Sequence, residues 1–410
     1  MHLILCPGEM KEIVIIGIDG GASKMNAWNI LFDKKNSSFR IGHRNYVKNY
    51  HNYVDYDVLF KPVPIQTQLK EINSGIRLTE IEKQQSKAYL NACLDIITSM
   101  ASPYKNHNIL IGLGMPGLKS NDLRGIIALA NGPRMPEFAT EIETELKLRK
   151  IDLLRPIARL GSDADYCGMG EEHASEGLFR SVKNAYYFGG GTGVADALKL
   201  KGNLISFDQA GSWIAKTWEM LSPEGVSLEK CISARAIQLI YGRLCKIQIT
   251  ELDQKKIFGA EIMSKALSHD PYALKTFERV SRDLAALLFE RISTIHSGYQ
   301  QKFAFVDPSK TIKLIRHPYY GTLLDRIIFG QRMGNIIEQS KGKGILWEPL
   351  LENLTKFIQD SNNAALQQHY LSDDMFNASI LQISNLREAP VIGAGADAFL
   401  MSLNSEQTDH

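Results

Sequence analysis

The sequence has few long apolar runs, little net charge and no excess of basic residues. Its apolar stretches stay well below the roughly 20 residues that a membrane-spanning helix needs, and residues 1–6 lack the basic and long apolar regions of a secretory signal. The formal net charge of +2 over 410 residues gives no electrostatic support for binding nucleic acid or an anionic membrane. We therefore expect a cytoplasmic protein with a small-molecule ligand, and neither a nucleic-acid nor a membrane partner.

Cysteine and histidine patterns that hold metals or disulfides are also missing. The five cysteines are an odd number and are scattered without any Cys-x-x-Cys spacing, which argues against a disulfide framework and a structural zinc cluster. The ten histidines are dispersed in the same way. We expect reduced thiols and no metal site that is built from side chains alone.

The composition that remains is that of a globular protein with more than one core. Apolar residues make up 44% of the chain and charged residues 22%, which are ordinary values for a folded domain. A chain of 410 residues exceeds the length at which a single core usually stops growing. The length therefore predicts two domains.

The most informative segment is a buried-looking strand that ends in a small polar turn. Residues 12–24 read EIVIIGIDGGASK, and the two glycines remove the Cβ atoms that would keep a ligand away from backbone N–H groups. Ser23 and Lys24 could face the same phosphate, and Asp19 could hold a hydrated Mg²⁺ beside it. An ordinary strand-to-strand hairpin is the alternative for this pattern.

Two later strands are also predicted to end in polar loops. Thr79 and Glu82 form the pattern of a capping box that opens a helix to about residue 100. The next strand, residues 108–114, is followed by Met115, Pro116 and Gly117, and a short strand over residues 156–160 is followed by the sequence GSDAD at 161–165. Ligands of open α/β sheets bind at such strand ends. The intervening residues 48–77 have weak periodicity, and whether they form a lid is left open.

A second glycine-rich turn repeats the opening arrangement. Residues 184–193 read NAYYFGGGTG, and residues 389–395 read APVIGAG, which we interpret as a further strand running into glycines. Residues 212–386 are mostly helical in period. The repetition predicts two domains of like topology that face one cleft.

The order of these strand-end loops resembles that of the actin/hexokinase-type ATPase superfamily. Within it, GLGMPG at 112–117 and SDADYCGMGE at 162–171 resemble the bacterial ROK sugar kinases, with the N-acetylglucosamine kinase/BadF branch as second choice. The resemblance implies an α/β fold with two actin/ribonuclease-H-like domains and an interdomain cleft. We place an N-terminal domain at 11–157, completed by 396–410 in one version, and a C-terminal domain at 158–395.

The resemblance also implies roles for individual residues, with ATP and Mg²⁺ as cofactors. Asp163 matches the family's catalytic base, although an N-cap of the following helix is the structural alternative for it. Asp165 is interpreted as structural, and Asp19 as the residue that positions the metal. The nucleotide would be bound by Asp19, Gly20, Gly21, Ala22, Ser23, Lys24, Gly190, Gly191, Thr192, Gly193, Gly393 and Gly395. The substrate would be bound by Gly114, Met115, Pro116, Gly117, Ser162, Asp163, Asp208 and Gln209.

Several positions depart from the ROK pattern. The family's zinc signature and its Glu-x-Gly-His sugar clamp are missing, and Asp208 and Gln209 stand roughly where the clamp would be. Ser162 replaces the usual sugar-binding Asn and so removes an amide donor, while Asp196 stands where glycine is common. These changes leave open whether the substrate has changed or activity has been lost.

The leading hypothesis is an ATP-dependent carbohydrate kinase that phosphorylates a hydroxyl of a sugar or sugar-like polyol. One alternative is a sugar-binding regulator on the same scaffold, although only about ten residues precede the first strand and leave no room for a DNA-reading module. Another is an actin-fold ATPase that acts on a protein partner. The sugar, the phosphorylated hydroxyl and the pathway stay open, as does a homodimer.

Overall fold

The computed structural model of the chain describes residues 5–6, 9–21, 23–104, 107–313 and 316–408. The chain divides into two compact units. The first comprises residues 1–177 and 388–410, and the second comprises residues 178–387. Each is an α/β unit built on its own sheet.

The first unit is built on a mixed sheet in the order β4-β3-β2-β5-β8, with β1 paired to β2. Strands β4, β3 and β2 are antiparallel neighbours, whereas β5 and β8 continue the sheet in parallel to β2. A small separate hairpin is formed by β6 and β7. The strands are β1 Leu5–Cys6, β2 Glu9–Gly20, β3 Lys24–Asp33, β4 Ser38–Asn49, β5 Asn108–Gly114, β6 Leu118–Lys119, β7 Ile126–Ala128 and β8 Leu160–Gly161.

Helices cover both faces of this sheet. The helices are α1 Ile65–Ser74, α2 Glu80–Ala101, α3 Phe138–Leu148, α4 Asp163–His173 and α14 Ala389–Thr408. Helix α2 begins at the predicted capping box, since Thr79 Oγ1 accepts from Glu82 N and Glu82 reaches back to Thr79 N. Its apolar face packs with α3 on one face of the sheet. Helix α1 lies within the segment 48–77.

Helix α14 packs on the opposite face and α4 packs on α14, and glycines allow these elements to approach closely. A Cβ at Gly17 of β2 or Gly112 of β5 would collide with carbonyl oxygens of α14, and one at Gly170 of α4 would do the same. Real structures do not contain such short contacts, so these positions require glycine. Helix α14 is therefore held closely against β2 and β5, and α4 is held closely against α14.

The second unit repeats this topology. Its sheet has the order β11-β10-β9-β12-β15, in which β9, β10 and β11 are antiparallel and β12 and β15 are parallel to β9. If strands are counted along the chain from β2 in the first sheet and from β9 in the second, both sheets have the strand order 3-2-1-4-5. The strands are β9 Ala185–Gly190, β10 Val194–Leu200, β11 Asn203–Ile205, β12 Arg326–Gly330, β13 Leu371–Ser372, β14 Met375–Phe376 and β15 Leu381–Ile383.

The helices of the second unit surround an extensive apolar core. They are α5 Phe207–Ala210, α6 Glu229–Ile232, α7 Ala234–Cys245, α8 Ile249–Gln254, α9 Gly259–Leu267, α10 Pro271–Ser297, α11 Gln331–Ser340, α12 Trp347–Asp360 and α13 Ala364–Tyr370. The two sheets of like topology confirm the predicted α/β class. Within the described residues, no helix combines the length and apolar character needed to cross a membrane.

Two sequence-based assignments differ from the structure. The predicted division near residue 157 separates Asp163 from β2, but α4 packs on α14 and belongs to the first unit. The segment 389–395 is not a strand, because it forms the first two turns of α14. This second error arises because an apolar, glycine-rich run has the same composition in a buried strand and in a closely packed helix.

Candidate active site

The first unit brings three strand ends together at one edge of its sheet. Asp19, at the end of β2, is paired in register with Gly114 at the end of β5. Gly114 is paired in turn with Gly161 at the end of β8, which leads directly into α4. This edge therefore carries Asp19, the loop that follows Gly114, and Asp163. Such an edge is where a ligand site of an α/β sheet is expected.

Asp19 and Asp163 interact electrostatically at this edge. The pKa of Asp19 is raised from 3.8 to about 6 as the net result of burial, which is the largest cause, the charge of Asp163, which also raises it, and Lys24, which lowers it. Two carboxylates that share a site disfavour each other's charged form. The arrangement places a partly buried carboxylate beside an exposed one, which is a local excess of negative charge.

This electrostatic conflict should appear in the pH dependence of stability. An Asp whose folded-state pKa is raised stabilises the fold below its unfolded value and loses that contribution as pH rises through about 6. A shift of about two units corresponds to about 3 kcal/mol. Between pH 4 and pH 8, we expect the free energy of unfolding of Asp19→Asn to rise by about that amount relative to the wild type. Urea unfolding in metal-free buffer measures this difference. Parallel curves for the two proteins would contradict this, and Asp152→Asn, at an exposed site, is the control.

The turn after Asp19 is held by backbone hydrogen bonds. Gly21 N donates to Lys24 O at 2.8 Å, and Tyr50 donates from its hydroxyl to Gly21 O at 3.1 Å and from its N–H to Ser23 O at 3.0 Å. The Gly21 amide is therefore occupied by the hairpin, while the side chains of Ser23 and Lys24 are exposed. A Cβ at Gly20 would collide with the sulfur of Met115. Ala22 lies outside the described residues.

Asp163 is the first residue of α4 and does not cap it. Ser162 is the N-cap, since its Oγ accepts from Asp165 N at 3.0 Å and donates to Asp165 Oδ2 at 2.8 Å. Asp163 is exposed, and its Oδ1 accepts from Ala164 N at 2.9 Å. The N-cap alternative for Asp163 is thereby wrong, and the structural interpretation of Asp165 is confirmed. The hydroxyl of Ser162 is already engaged, so its predicted substrate contact would compete with the cap.

The loop after β5 is anchored on both sides. Met115 is fully buried and donates from its N–H to Gly161 O at 3.0 Å. Lys119 Nζ donates to Met115 O at 2.6 Å and to Gly117 O at 2.9 Å. Gly117 has φ of 97°, a conformation that favours glycine. Met115, Pro116 and Gly117 thus form a fixed rim beside Asp19, and their contact with substrate stays a prediction.

Gly393 and Gly395 do not form the predicted turn after a strand, and their contact with a nucleotide stays a prediction. They lie inside α14, where a Cβ at Gly393 would collide with Tyr166 O and one at Gly395 would crowd Ile30. Both are needed for close packing. The same helix carries Asp397, which accepts from Arg159 Nε at 2.8 Å, from Arg159 Nη2 at 2.6 Å and from the Tyr166 hydroxyl at 3.0 Å. This buried pairing locks α4, and therefore Asp163, in place.

The second unit carries the other glycine turn, between β9 and β10. Gly191 N donates to Gly193 O at 2.9 Å, Gly191 O accepts from Arg235 N, and Thr192 O accepts from Ser233 Oγ. The side chain of Thr192 is exposed. The turn is a supported hairpin end with the composition predicted for a phosphate loop, and its contact with a nucleotide stays a prediction.

The sequence analysis missed a strand end beside this turn. Strand β12 lies parallel to β9, with Gly330 in register with Gly189, and the next residue, Gln331, has φ of 56°. A Cβ at Gly191 would lie 2.8 Å from Gln331 Oε1, so this side chain reaches the glycine turn. The sequence does contain a signal for this strand, namely the apolar run of residues 327–329 before a glycine. We interpreted this run as part of the mostly helical region 212–386.

Asp208 and Gln209 lie in α5 of the second unit, where both are exposed. Asp208 forms an ion pair with Lys216 at 2.6 Å. Asp196, by contrast, is buried and accepts hydrogen bonds from Tyr186, from both the N–H and hydroxyl of Thr217, and from Arg291. Asp196 is therefore a structural residue of the core, and the substrate role of Asp208 and Gln209 stays a prediction.

Comparisons place this fold among solved structures. No protein-family model and no curated protein matches the sequence. The chain is similar to the ROK family glucokinase from Streptomyces griseus in complex with glucose and AMPPNP, with 14% identity, a TM-score of 0.55 and coverage of 93% of this chain and 98% of that one. It is similar to the ROK hexokinase from Thermus thermophilus, with 16% identity, a TM-score of 0.52 and coverage of 95% and 99%.

A structure with a different printed role shares the same fold. The ROK family transcriptional regulator that is a homologue of the E. coli MLC protein has 13% identity, a TM-score of 0.53 and coverage of 94% of this chain and 78% of its own. Identities this low establish a common fold and leave activity to be argued from the site. The sequence-based resemblance is confirmed at that level: the chain has the fold of the ROK sugar kinases.

Proposed function

We propose that this protein transfers the γ-phosphoryl group of ATP to a hydroxyl of a sugar or sugar-like polyol. The observation that carries the proposal is that Asp19 after β2 and Asp163 after β8 lie at one edge of the first sheet, where the charge of Asp163 raises the pKa of Asp19. The glucokinase and hexokinase among the similar structures support phosphorylation of a sugar as the reaction class. Because Ser162 and Asp208 stand where the ROK pattern has other sugar-binding residues, the proposal specifies a substrate class and not one sugar.

Asp163 acts as the general base in this proposal. It is exposed at the start of α4 and does not cap the helix, so its carboxylate is available to a substrate. As the acceptor oxygen forms its bond to phosphorus, Asp163 takes the hydroxyl proton and ADP leaves with the electron pair of the broken bond. Asp397, Arg159 and Tyr166 are positioning residues, because their hydrogen bonds hold α4 against α14.

Asp19 fits the role of a magnesium-positioning residue. Its pKa of about 6 reflects burial beside a second carboxylate, and a nearby divalent cation would relieve that conflict. Magnesium usually keeps several waters and binds through one or two carboxylates together with substrate phosphates. When bound, the ion would neutralise phosphate charge, while Ser23 and Lys24 would contact the phosphates from their exposed positions on the turn.

The nucleotide is assigned to the turn at Gly190–Gly193, and we add Gln331 to the predicted residues. Its side chain reaches Gly191 from the neighbouring strand end. We expect Gln331→Glu to weaken binding of a non-hydrolysable ATP analogue about tenfold, or about 1.4 kcal/mol, because it places a negative charge beside the phosphates. Titration calorimetry measures this. The control is Gln359→Glu, an exposed site in the same unit, and equal affinities for all three proteins would contradict the assignment.

A sugar-binding regulator is the second candidate, because a regulator shares this fold and the departures from the ROK pattern affect residues predicted to bind the substrate. Release of ADP separates the two. We expect at least one compound among hexoses, amino sugars, acylated amino sugars and cyclitols to stimulate ADP production by the full chain in the presence of Mg²⁺. Saturable sugar binding without any ADP production would favour the regulator. ATP hydrolysis that ignores every polyol and responds to a protein would favour the partner-driven ATPase.

A further inference from the structure

A cavity of about 250 Å³ opens in the first unit, and neither Asp19 nor Asp163 lines it. It lies between the loop of residues 56–62, helix α2 and residues 130–131. This volume lies just below the range of about 300–1,000 Å³ that is usual for small-molecule sites, so the cavity is too small for a nucleotide. The size alone favours a ligand with a single ring.

Gln85 supplies a hydrogen-bond donor on the wall of this cavity. The residue is only 3% exposed, and its Oε1 accepts from Asp57 N at 2.8 Å. This bond engages the amide oxygen and leaves the Nε2 group of this cavity-lining residue as a donor. The amide could therefore donate to a polar ligand in the cavity.

Aromatic rings provide a second kind of contact. Tyr56, Phe60 and Tyr89 line the cavity, and Tyr89 is stacked on Tyr50 with ring centroids 3.8 Å apart, which makes it a rigid wall. Burial raises the pKa of Tyr89, and the nearby phenol of Tyr56 raises it further. Both phenols belong to residues that line the cavity.

The charge of the lining selects against anions. Among the described residues, the lining contains the carboxylate of Asp57 and the amide of Asn131 but no lysine or arginine. Phosphate esters and carboxylates would meet repulsion without compensation. A hydroxyl-rich ring, in contrast, offers acceptors for Gln85, donors for Asp57 and C–H faces for the aromatic rings.

We propose that this cavity is a second, non-catalytic site for an uncharged monosaccharide ring. The site is independent of phosphoryl transfer, since it shares no residue with the strand-end site. Occupation would connect to that site only through the stacked pair of Tyr89 and Tyr50, because Tyr50 donates its hydroxyl to Gly21 O.

Saturation-transfer NMR on the full chain without nucleotide tests the site. The probes are glucose, N-acetylglucosamine and glucose 6-phosphate. We expect transfer to at least one uncharged sugar to fall about fivefold or more in both Gln85→Glu and Tyr56→Phe. Gln85→Glu keeps the acceptor for Asp57 N, and Tyr56→Phe removes only a hydroxyl. Gln84→Glu makes the same substitution one residue earlier, at an exposed site of α2, and should match the wild type.

Each other result overturns the inference. The proposed site would be excluded if the wild type showed no transfer, or if transfer were unchanged in both cavity variants. It would also be excluded if glucose 6-phosphate binding depended on Gln85 as strongly as glucose binding does. Sugar binding that persists in both variants while ADP production continues would leave the kinase proposal standing. Sugar binding that depends on Gln85, in a protein that produces no ADP, would support the second site and contradict the kinase proposal.

Discussion

Replacing Asp163 with asparagine should lower sugar-dependent ADP production by about 10²–10⁴-fold, the usual contribution of a general base. Asparagine has nearly the same shape and keeps an oxygen that can accept from Ala164 N, as Asp163 does at 2.9 Å. Nucleotide affinity should therefore stay within about twofold of the wild type. Steady-state turnover with a stimulating sugar, together with calorimetric titration of an ATP analogue, measures both quantities.

Asp165→Asn is the matched control, since it changes an acidic side chain in the same helical turn. Asp165 accepts from the Ser162 hydroxyl at 2.8 Å as part of the cap, so its replacement should cost up to about 1 kcal/mol of stability and little turnover. If Asp163→Asn turned over sugar at the wild-type rate, Asp163 would lose its assigned role.

The same variant has a readout that does not depend on activity. The charge of Asp163 is one of the causes that raise the pKa of Asp19 to about 6, so Asp163→Asn should lower the pKa of Asp19. Carbon-13 NMR of the aspartate carboxyl groups follows this titration. An unchanged Asp19 pKa would show that the two carboxylates do not interact, and it would do so even in a preparation without catalytic activity.

Replacing Gly393 with alanine should destabilise the first unit by about 3 kcal/mol, because the added methyl group overpacks a close contact. The Cβ would collide with Tyr166 O, where α14 crosses α4. Alanine is intrinsically the better helix former by about 1 kcal/mol, so a loss of stability can come only from packing. Urea unfolding of the variant and the wild type gives the difference.

This experiment also separates the helix-packing role from the predicted adenosine turn. If Gly393 only packs, ATP affinity of the folded variant should be close to that of the wild type, whereas a nucleotide contact would lower affinity without a large loss of stability. Gly211→Ala is the control, since a Cβ there has no neighbour closer than 3.5 Å. A Gly393→Ala protein as stable as the wild type would contradict the close contact.

The strand-end pattern of the candidate site could be predicted from the sequence because its determinants are local. The apolar run before Asp19 and the run before Gly114 each specify a strand, and glycine after a strand specifies a turn. Two parallel strands that begin and end with such signals bring their loops to one edge. The capping box at Thr79 and Glu82 likewise specifies the start of α2 within four residues.

Other features depend on which distant segments pack together. Nothing in the residues near Gly393 shows that its missing side chain admits Tyr166 of another helix, so a glycine inside a packed helix was interpreted as part of a turn after a strand. Gln331 becomes a site candidate only because β12 pairs with β9. The competition between Ser162 and Asp163 for the N-cap position was decided by backbone geometry at the start of α4.

By itself, the sequence determined the α/β class, the repeated strand-and-glycine arrangement and the small set of polar residues at strand ends. Those properties follow from periodicity and from the conformational freedom of glycine, which act over a few residues. The tertiary structure decided that Asp163 shares a sheet edge with Asp19, and that α14 completes the first unit. Contacts between residues more than 200 positions apart, such as Arg159 with Asp397, have no local signature, because their energy exists only once both segments are packed.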